Sequence, residues 1–519
     1  MKCITLFFSF CLIAIFSIAQ PNYDFSKLKR ERLGRGVIAI RENPSTVAVS
    51  WRYLSSDPMN ESFDIYRNDE KINKHPLKDA TFFQDAYAGT ESVLYTVKAR
   101  EGKTESSYQL PANAPLGYLN IPLNRPEDGT TPSGQNYFYA PNDASIGDVD
   151  GDGEYEIILK WDPSNAHDNS HDGYTGEVYV DCYKLSGKLL WRINLGRNIR
   201  AGAHYTQFMV FDFDGDGKAE VVMKTADGTV DGTGKELKQR WVFDSNNPGC
   251  KDYAGQGNHN LRVGDVDGDG CDEIIYGSCA IDHNGKGLYT TKMGHGDAIH
   301  LTHFDPSRKG LQVWDCHENK RDGSTYRDAA TGEVLFQIKD NTDVGRCMAA
   351  DIDPTQPGVE MWSVASGGIR NVKGEVVKDR VRGLSCNMAV WWDGDLLREL
   401  LDRNMVSKYN WEKGVCERIA IFEGTLSNNG TKANPCLQGD IVGDWREEIL
   451  MRTADNTALR LYVSTIPTDY RFHTFLEDPI YRISIATQNV AYNQPTQPGF
   501  YFGPELQGTV FRGCKIPKK

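Results

Sequence analysis

The chain is short of positive charge. Its 519 residues include 58 Lys and Arg against 71 Asp and Glu, a formal net charge of −13. An acidic chain is a poor general binder of phosphate backbones, so nucleic acid is set aside as a partner. Long apolar runs are also missing, with one exception at the start. Met1-Lys2 leads into an apolar run ending at Ile18-Ala19, with small residues near Ala19. That pattern predicts a secretory signal peptide over residues 1–20, and no later run is long enough to cross a bilayer. Cys11 lies inside the run, which argues against a lipoprotein anchor. The mature protein is expected to be secreted or periplasmic, soluble, without a membrane anchor and monomeric.

The ten cysteines after the signal show no regular spacing and no C-x-x-C pair. Cys279, Cys347 and Cys386 sit beside apolar residues and read as buried small hydrophobes. The compartment permits disulfides, but their pairing cannot be read from the sequence. G-x-S-x-G, a P-loop and a G-x-G-x-x-G in strand–helix context are absent, which disfavours nucleophile-elbow, nucleotide and dinucleotide chemistry. Helical periodicity is scarce, and Asp393 to Arg403 reads as the one short helix.

What is present is a repeated acidic turn. Asp148-Val149-Asp150-Gly151-Asp152-Gly153-Glu154-Tyr155-Glu156 runs into the apolar Ile157-Ile158. Alternating carboxylates, glycines and a closing Glu make an oxygen-lined turn suited to Ca²⁺. No helical pattern flanks it, so it is not an EF-hand. Near-identical copies carry Asp212, Asp214, Asp216, Lys218 and Glu220, then Asp265, Asp267, Asp269 and Glu273. Degenerate copies follow at Asp305, at Asp351 and Asp353, and at Asp440 and Asp444, each before a short apolar strand. The spacing fits radial repeats with inserted loops, a multi-bladed β-propeller whose turns are Ca²⁺ clips.

Residues 21–117 read as a separate fibronectin III- or Ig-like β-sandwich. Thr46–Trp51, Phe63–Arg67 and Tyr95–Ala99 alternate as half-buried strands. A Pro/Gly-rich connector from Pro126 to Gly134 leads into the repeats, so residues 118–519 form the propeller. Between Lys224 and Leu261 only Arg240–Phe243 reads as a strand, too little for a blade of four.

Polar loops outside the turns are the candidates for chemistry. Gly294–His300 holds two histidines and Asp297, and Gly255–Asn260 holds His259. Such His/Asp loops beside acidic turns suit a metal. Ser427–Lys432 and Asp343–Arg346 each carry a lone base, while Trp161–Asn165 and Ala491–Pro495 mix aromatics with amides that suit sugar rings.

In these strings the chain resembles the family 11 polysaccharide lyases, the rhamnogalacturonan lyases. The strings are Asn142–Asn165, Arg200–Phe208, Ala254–Asn260, Gly294–Ala298, Asp343–Arg346, Asn429–Ala433, Gly443–Glu448 and Ala491–Pro495. The resemblance implies a propeller, eight-bladed in the family, behind a fibronectin-like domain and binding many Ca²⁺. It implies β-elimination of the rhamnose–galacturonate backbone of pectin (rhamnogalacturonan I). It places Asn142, Asp162, Asn429, Gly430, Thr431 and Tyr492 on the sugar and Arg346 and Lys432 beside the uronate. It further places His259 and His295, with Asp143 and Asp297, among the metal-site residues. Family members carry about one blade more between the segments matching Gly234 and Trp241, so a seven-bladed ring is expected here.

β-Elimination removes the C5 proton, α to a carboxylate. Neutralising that carboxylate with Ca²⁺ and Arg346 stabilises the enolate-like intermediate, and an uncharged Lys432 serves as base. The alternatives are a Ca²⁺-dependent propeller that binds acidic glycan without cutting it, an adhesion scaffold, and a hydrolase with two opposed carboxylates.

Overall fold

The computed structural model describes residues 29–168, 170–202, 205–224, 241–365, 367–488 and 493–518. The proposed signal peptide therefore lies outside the described residues.

The fold is all-β. The N-terminal region is sandwich-like: Ile38–Asn43, Thr46–Ser50 and Phe82–Asp85 form one sheet, and Glu70–Lys71, Phe63–Arg67, Val93–Ala99 and Glu105–Leu110 the other. Alternation puts Val47, Val49, Ile65, Tyr95 and Val97 inside around Trp51 and Phe63. This layer is fastened to the rest of the chain: Arg471 donates to Glu61 O at 2.9 Å, and Arg30 pairs with Glu477 at 2.8 Å.

Among the described residues a series of seven antiparallel sheets follows, besides two small two-stranded ones, Gly129–Thr130 with Asn136–Tyr137 and Val510–Phe511 with Cys514–Lys515. The first is Tyr139–Gly147, Glu156–Pro163, Tyr179–Tyr183 and Leu189–Asn194. The second has only Phe208–Phe211 and Glu220–Met223. The third to sixth are four-stranded and begin at Arg262–Gly264, Ile299–Thr302, Cys347–Ala350 and Met388–Val390. In the seventh, Leu437–Gly439 pairs with Glu448–Thr453, then Ala458–Tyr462, and its outer edge is Tyr118–Pro122 from before the first sheet. A strand from the beginning of the series thus completes the sheet at its end. Each acidic turn lies between the first and second strands of its sheet.

First strands of successive sheets adjoin one another from the third to the sixth sheet. The first strand of sheet one touches those of sheets two and seven. The helix Pro479–Ala486 packs on the first strands of the first, second and third sheets. Asp478 caps it by accepting from Tyr481 N at 3.0 Å, and Pro479 supplies a preset first turn. Glycines ending the first strands let it approach. A Cβ on Gly264 would stand 3.1 Å from Ile480 Cδ1, and one on Gly439 3.0 Å from Ile485 Cδ1. Arg482 on this helix pairs with Glu31 at 2.6 Å and donates to Val210 O and Ile146 O, tying the first two sheets together.

Two expectations are overturned. Asp393 to Arg403 is not a helix but a turn followed by the strand Glu399–Asp402. Asp393 and Asp395 accept from Asp395 N and Leu397 N, both at 2.9 Å, and these side-chain bonds displace helical ones. Trp241–Phe243 forms no strand, pairs with no strand among the described residues, and leaves Trp241 and Val242 exposed; Arg240 lies outside the described residues. The ten cysteines described are all free thiols, with Cys279 and Cys347 buried and Cys386 half-buried.

Candidate active site

Side chains from sheets far apart in sequence meet at one place. The first strand of the first sheet is bulged between Pro141 and Ala144, which re-aims Asn142 and Asp143. Asp143 is buried and saturated with donors: Lys160 Nζ at 2.9 Å, Asn493 Nδ2 at 3.1 Å and Asn429 Nδ2 at 3.3 Å. A lysine, rather than an acidic turn, is its partner. Asp162, opposite Ala140 on the next strand, lies 3.8 Å from Lys160, and burial raises its pKa.

Asn429 and Gly430 are both left-handed, at φ 58° and 59°, and Ala433 is too, at φ 46°. For an alanine that conformation is strained, and here it holds the single turn Gly430–Lys432 in shape. Lys432 Nζ lies 3.1 Å from Asp297 Oδ2 and 3.2 Å from Gly345 O. The next residue is Arg346, whose Nη2 donates to Asn387 O at 2.9 Å and to Asn493 O at 3.3 Å. Asn387 in turn donates to Thr431 O at 3.3 Å. The two bases are therefore neighbours. Arg346 is 6% exposed, its Nε and Nη1 have no hydrogen-bond partner, and burial pulls its pKa down. A buried guanidinium with idle N–H groups is a receptor for an anion.

On the other side of Asp297 stand His259, His295 and Glu318, with one ligand atom from each of the four within 4.8 Å of one another. His295 Nδ1 bonds Gly257 O, leaving Nε2 to face His259 Nε2 at 3.2 Å. Glu318 Oε1 is 3.5 Å from His295 and 3.9 Å from His259, and burial raises its pKa. Gly296 fixes the spacing of its flanking ligands, since a Cβ there would stand 2.0 Å from Cys316 O. Mixed imidazole and carboxylate donors suit a divalent cation softer than the all-oxygen turns would choose. A cavity of about 550 Å³ opens beside His259 and His295, lined also by Phe243, Tyr253 and Tyr276. Tyr492 lies outside the described residues. Sequence reasoning missed Glu318, Asn387 and Asn493. The first follows a strand with no spacing signal, and the other two are known as partners only through space.

The acidic turns differ from one another despite their common pattern. In all three near-identical copies the leading Asp caps its own loop: Asp148 accepts from Gly151 N at 2.6 Å, Asp212 from Gly215 N at 2.7 Å and Asp265 from Gly268 N at 2.7 Å. The closing Glu bonds back to the loop as well, with Val149 N, Phe213 N and Val266 N donating to Glu156, Glu220 and Glu273. Glu154 carries on the first loop, donating its N–H to Asp152 at 2.9 Å. Around Asp150, Asp152 and Glu156, however, Lys184 Nζ stands 2.7 Å from all three. Among the described residues Asp214, Asp216 and Glu220 have no such partner, and Lys218 turns away to Asp150 O at 3.0 Å. Beside Asp269 and Glu273 stands His283, at 3.4 and 3.5 Å. In the fifth sheet Asp351 Oδ1 and Glu360 Oε1 are buried without hydrogen-bond partners, and burial, with repulsion from neighbouring carboxylates including Glu505, pushes both carboxyls far up. Orphaned buried carboxylate oxygens of this kind fit a hard cation.

An all-β chain with acidic turns, and with a buried arginine and a lysine beside a histidine–carboxylate cluster, has the equipment of an enzyme acting on an acidic polysaccharide. The chain belongs to rhamnogalacturonan lyase family 11. The family's C-terminal domain model matches residues 118–237 and 234–510, and the rhamnogalacturonan I lyase beta-sheet domain matches 28–113. The chain is 44% identical over 584 positions to the Bacillus subtilis rhamnogalacturonan endolyase YesW, covering 94% of this chain and 93% of YesW. It is equally identical, at 44%, to the rhamnogalacturonan exolyase YesX of the same species, covering 93% of this chain and 96% of YesX. The Bacillus licheniformis rhamnogalacturonan lyase PL11 structure superposes with a TM-score of 0.86 at 43% identity, covering 92% of this chain and 97% of that one. For the YesW crystal structure the TM-score is 0.85, at the same 43% identity and coverages. The alignment with YesW is longer than this chain, and the C-terminal domain match breaks at 234–237, beside the two-stranded second sheet.

Proposed function

We propose that the chain is a rhamnogalacturonan lyase that cuts the rhamnose–galacturonate backbone of pectin by β-elimination. The observation that carries the proposal is the pairing of Arg346, buried with idle N–H groups, with Lys432 on the neighbouring turn. Arg346 receives the galacturonate carboxylate and lowers the energy of the enolate-like state. Lys432 Nζ takes the C5 proton, electrons form the C4=C5 double bond, and the C4–O bond breaks with its pair on the departing sugar. Asn142, Asp162, Asn429, Gly430, Thr431 and Tyr492 hold the rings. His259, His295, Asp297 and Glu318 would hold a divalent cation, which supplies further charge neutralisation at the carboxylate. Asp297 faces both Lys432 and the histidines, so its choice of partner governs how free Lys432 is to accept a proton.

The wider reading is a seven-bladed propeller, its second blade two-stranded among the described residues, over residues 118–519. Before it come a fibronectin III-like domain over 21–117 and a signal peptide over 1–20 that sends the protein, as a monomer, to the periplasm or outside. Ca²⁺ is its cofactor in several acidic turns. Incubating the protein with rhamnogalacturonan I and following ultraviolet absorbance of the unsaturated product tests the activity; absence of that product from the unaltered protein, metal supplied, refutes it. A second reading, a Ca²⁺-dependent binder of acidic glycan without turnover, is favoured by the two-stranded second sheet beside the 550 Å³ cavity. Binding without unsaturated product would select it.

A further inference from the structure

The end of the first sheet that presents Asn142 and Asp162 carries a second opening. The first strand, Tyr139–Gly147, begins at that end and the second, Glu156–Pro163, finishes there. By antiparallel order the third, Tyr179–Tyr183, also begins there, and the fourth, Leu189–Asn194, finishes there. Three segments therefore leave the sheet on the side of the candidate site: one before the first strand, one before the third and one after the fourth. Between them lies a cavity of about 710 Å³ with Tyr137, Tyr174, Glu177, Arg197 and Arg200 in its walls. Register puts it next to Asp162. Pro163 pairs with Tyr139, and a Cβ on Gly176 would stand 2.5 Å from the Tyr137 ring and 2.7 Å from Pro163 Cβ.

The cavity is braced from within. Asn165 is buried; its Oδ1 accepts from Gly176 N at 3.0 Å, and its Nδ2 donates to Gln135 Oε1 and to Tyr174 O, both at 3.4 Å. Ala201 N donates to Thr175 Oγ1 at 3.0 Å. Arg200 donates to Gly173 O at 3.1 Å, Asp168 O at 3.3 Å and His167 O at 3.4 Å, and also to His171 O. All four acceptors are uncharged carbonyls, so Arg200 ties the segments together while its positive charge stays unmatched. Arg197 is exposed and has no hydrogen-bond or ion-pair partner among the described residues. The one carboxylate in the walls, Glu177, accepts from Asn194 Nδ2 at 2.6 Å. Tyr174 is 57% exposed, an aromatic face left to solvent. Two guanidinium groups beside two tyrosine rings make a receptor for an acidic sugar chain.

On the rhamnogalacturonan lyase reading, we infer that this cavity is an outer subsite for the same polymer. It takes the sugars that follow the one held at Asp162, with Tyr174 against a ring face, Arg197 on a carboxylate and Arg200 adding positive charge. A backbone alternating rhamnose and galacturonate offers a carboxylate at every second sugar, so a chain with one galacturonate on Arg346 brings another acid further along. Once the central sugars are seated, the outer contact is made within one complex and strengthens binding without a second encounter. Short chains that stop at Asp162 miss it.

The test is isothermal titration calorimetry on the full-length Lys432→Ala protein, metal supplied, with rhamnogalacturonan oligosaccharides of increasing length. Affinity should rise about tenfold at the length that passes Asp162. Adding Tyr174→Ala should remove about tenfold from the long ligands. Adding Arg197→Gln should remove about threefold, a loss that disappears at high salt. Both should leave the shortest bound oligosaccharide as it was, and Tyr174→Phe, which keeps the ring, should keep the long-chain affinity. Circular dichroism establishes that each variant is folded. The same length dependence in Tyr174→Ala and Arg197→Gln as in their parent, or equal losses on short and long ligands, would overturn the subsite. Either result leaves the lyase reading standing, because that reading falls only if the unaltered protein forms no unsaturated product. Binding at no length would overturn the subsite as well.

Discussion

The first and second sheets carry the same six-residue alternation of Asp and Gly, at Asp148–Gly153 and Asp212–Gly217, yet they are held differently. The first has four strands, a lysine in its turn and substrate-facing residues on its bulged first strand. Among the described residues the second has two strands, no base within ion-pairing distance of Asp214, Asp216 and Glu220, and none of the clustered site residues. The difference teaches that an acidic motif specifies a loop shape, while the strand beside it decides which side chains stand against the loop. The helix Pro479–Ala486, through Arg482, ties the first strand of the second sheet to that of the first.

The comparison can be broken at several points. The largest effect is expected at the buried arginine of the candidate site. Arg346→Ala should lower kcat/KM about 100- to 1,000-fold, as removal of a preorganised charge-stabilising donor does, with the fold intact by circular dichroism. A loss of less than about tenfold would mean that Arg346 is merely structural. Next, Asp150→Asn and Asp214→Asn should each remove part of the rise in Tm that Ca²⁺ produces. A site filled at a hundred times its Kd contributes about 2.7 kcal/mol, which calorimetry with and without chelator detects. A rise left whole in both variants would take the ion out of both turns.

A smaller, pH-dependent effect should come from outside both turns. His300 is fully buried, and burial, with Arg262 nearby, lowers its pKa to about 3; burial does the same at His473, again to about 3. A histidine held neutral in the fold binds its proton more readily when unfolded. Its contribution is therefore present above the unfolded value, near 6.5, and is lost as pH falls from there towards 3. Thermal melts should show stability declining across that window by up to about 1.4 kcal/mol per pH unit per group, and His300→Gln should flatten the decline. An unchanged slope in the variant would place the acid sensitivity elsewhere.

Much of this was legible in the sequence, and the illegible parts share a cause. The acidic turns were readable because their hydrogen bonds are local, and Phe63–Arg67 because one face is buried and the other is not. The helix Pro479–Ala486 escaped notice because it is buried nearly all round and shows no amphipathic stripe. Asp393 to Arg403 suggested a helix because both faces of its strand, Glu399–Asp402, are largely covered, which removes the alternation that marks a half-buried strand. At the site, Arg346, Lys432, His259 and His295 stood out by chemistry and resemblance. Glu318 and Asn493 are defined only by what they touch, and so is Lys184, which looked like any other lysine at the end of a strand.

The account turns on an amine and a guanidinium, brought together from separate sheets, acting on a uronic acid. The most direct measurement is the initial rate of unsaturated-product formation from rhamnogalacturonan I by Lys432→Ala, set beside its affinity for the same polymer. The account predicts a rate at least about 100-fold lower with binding largely retained, the loss expected for a general base. Product forming at the rate of the unaltered protein would contradict it.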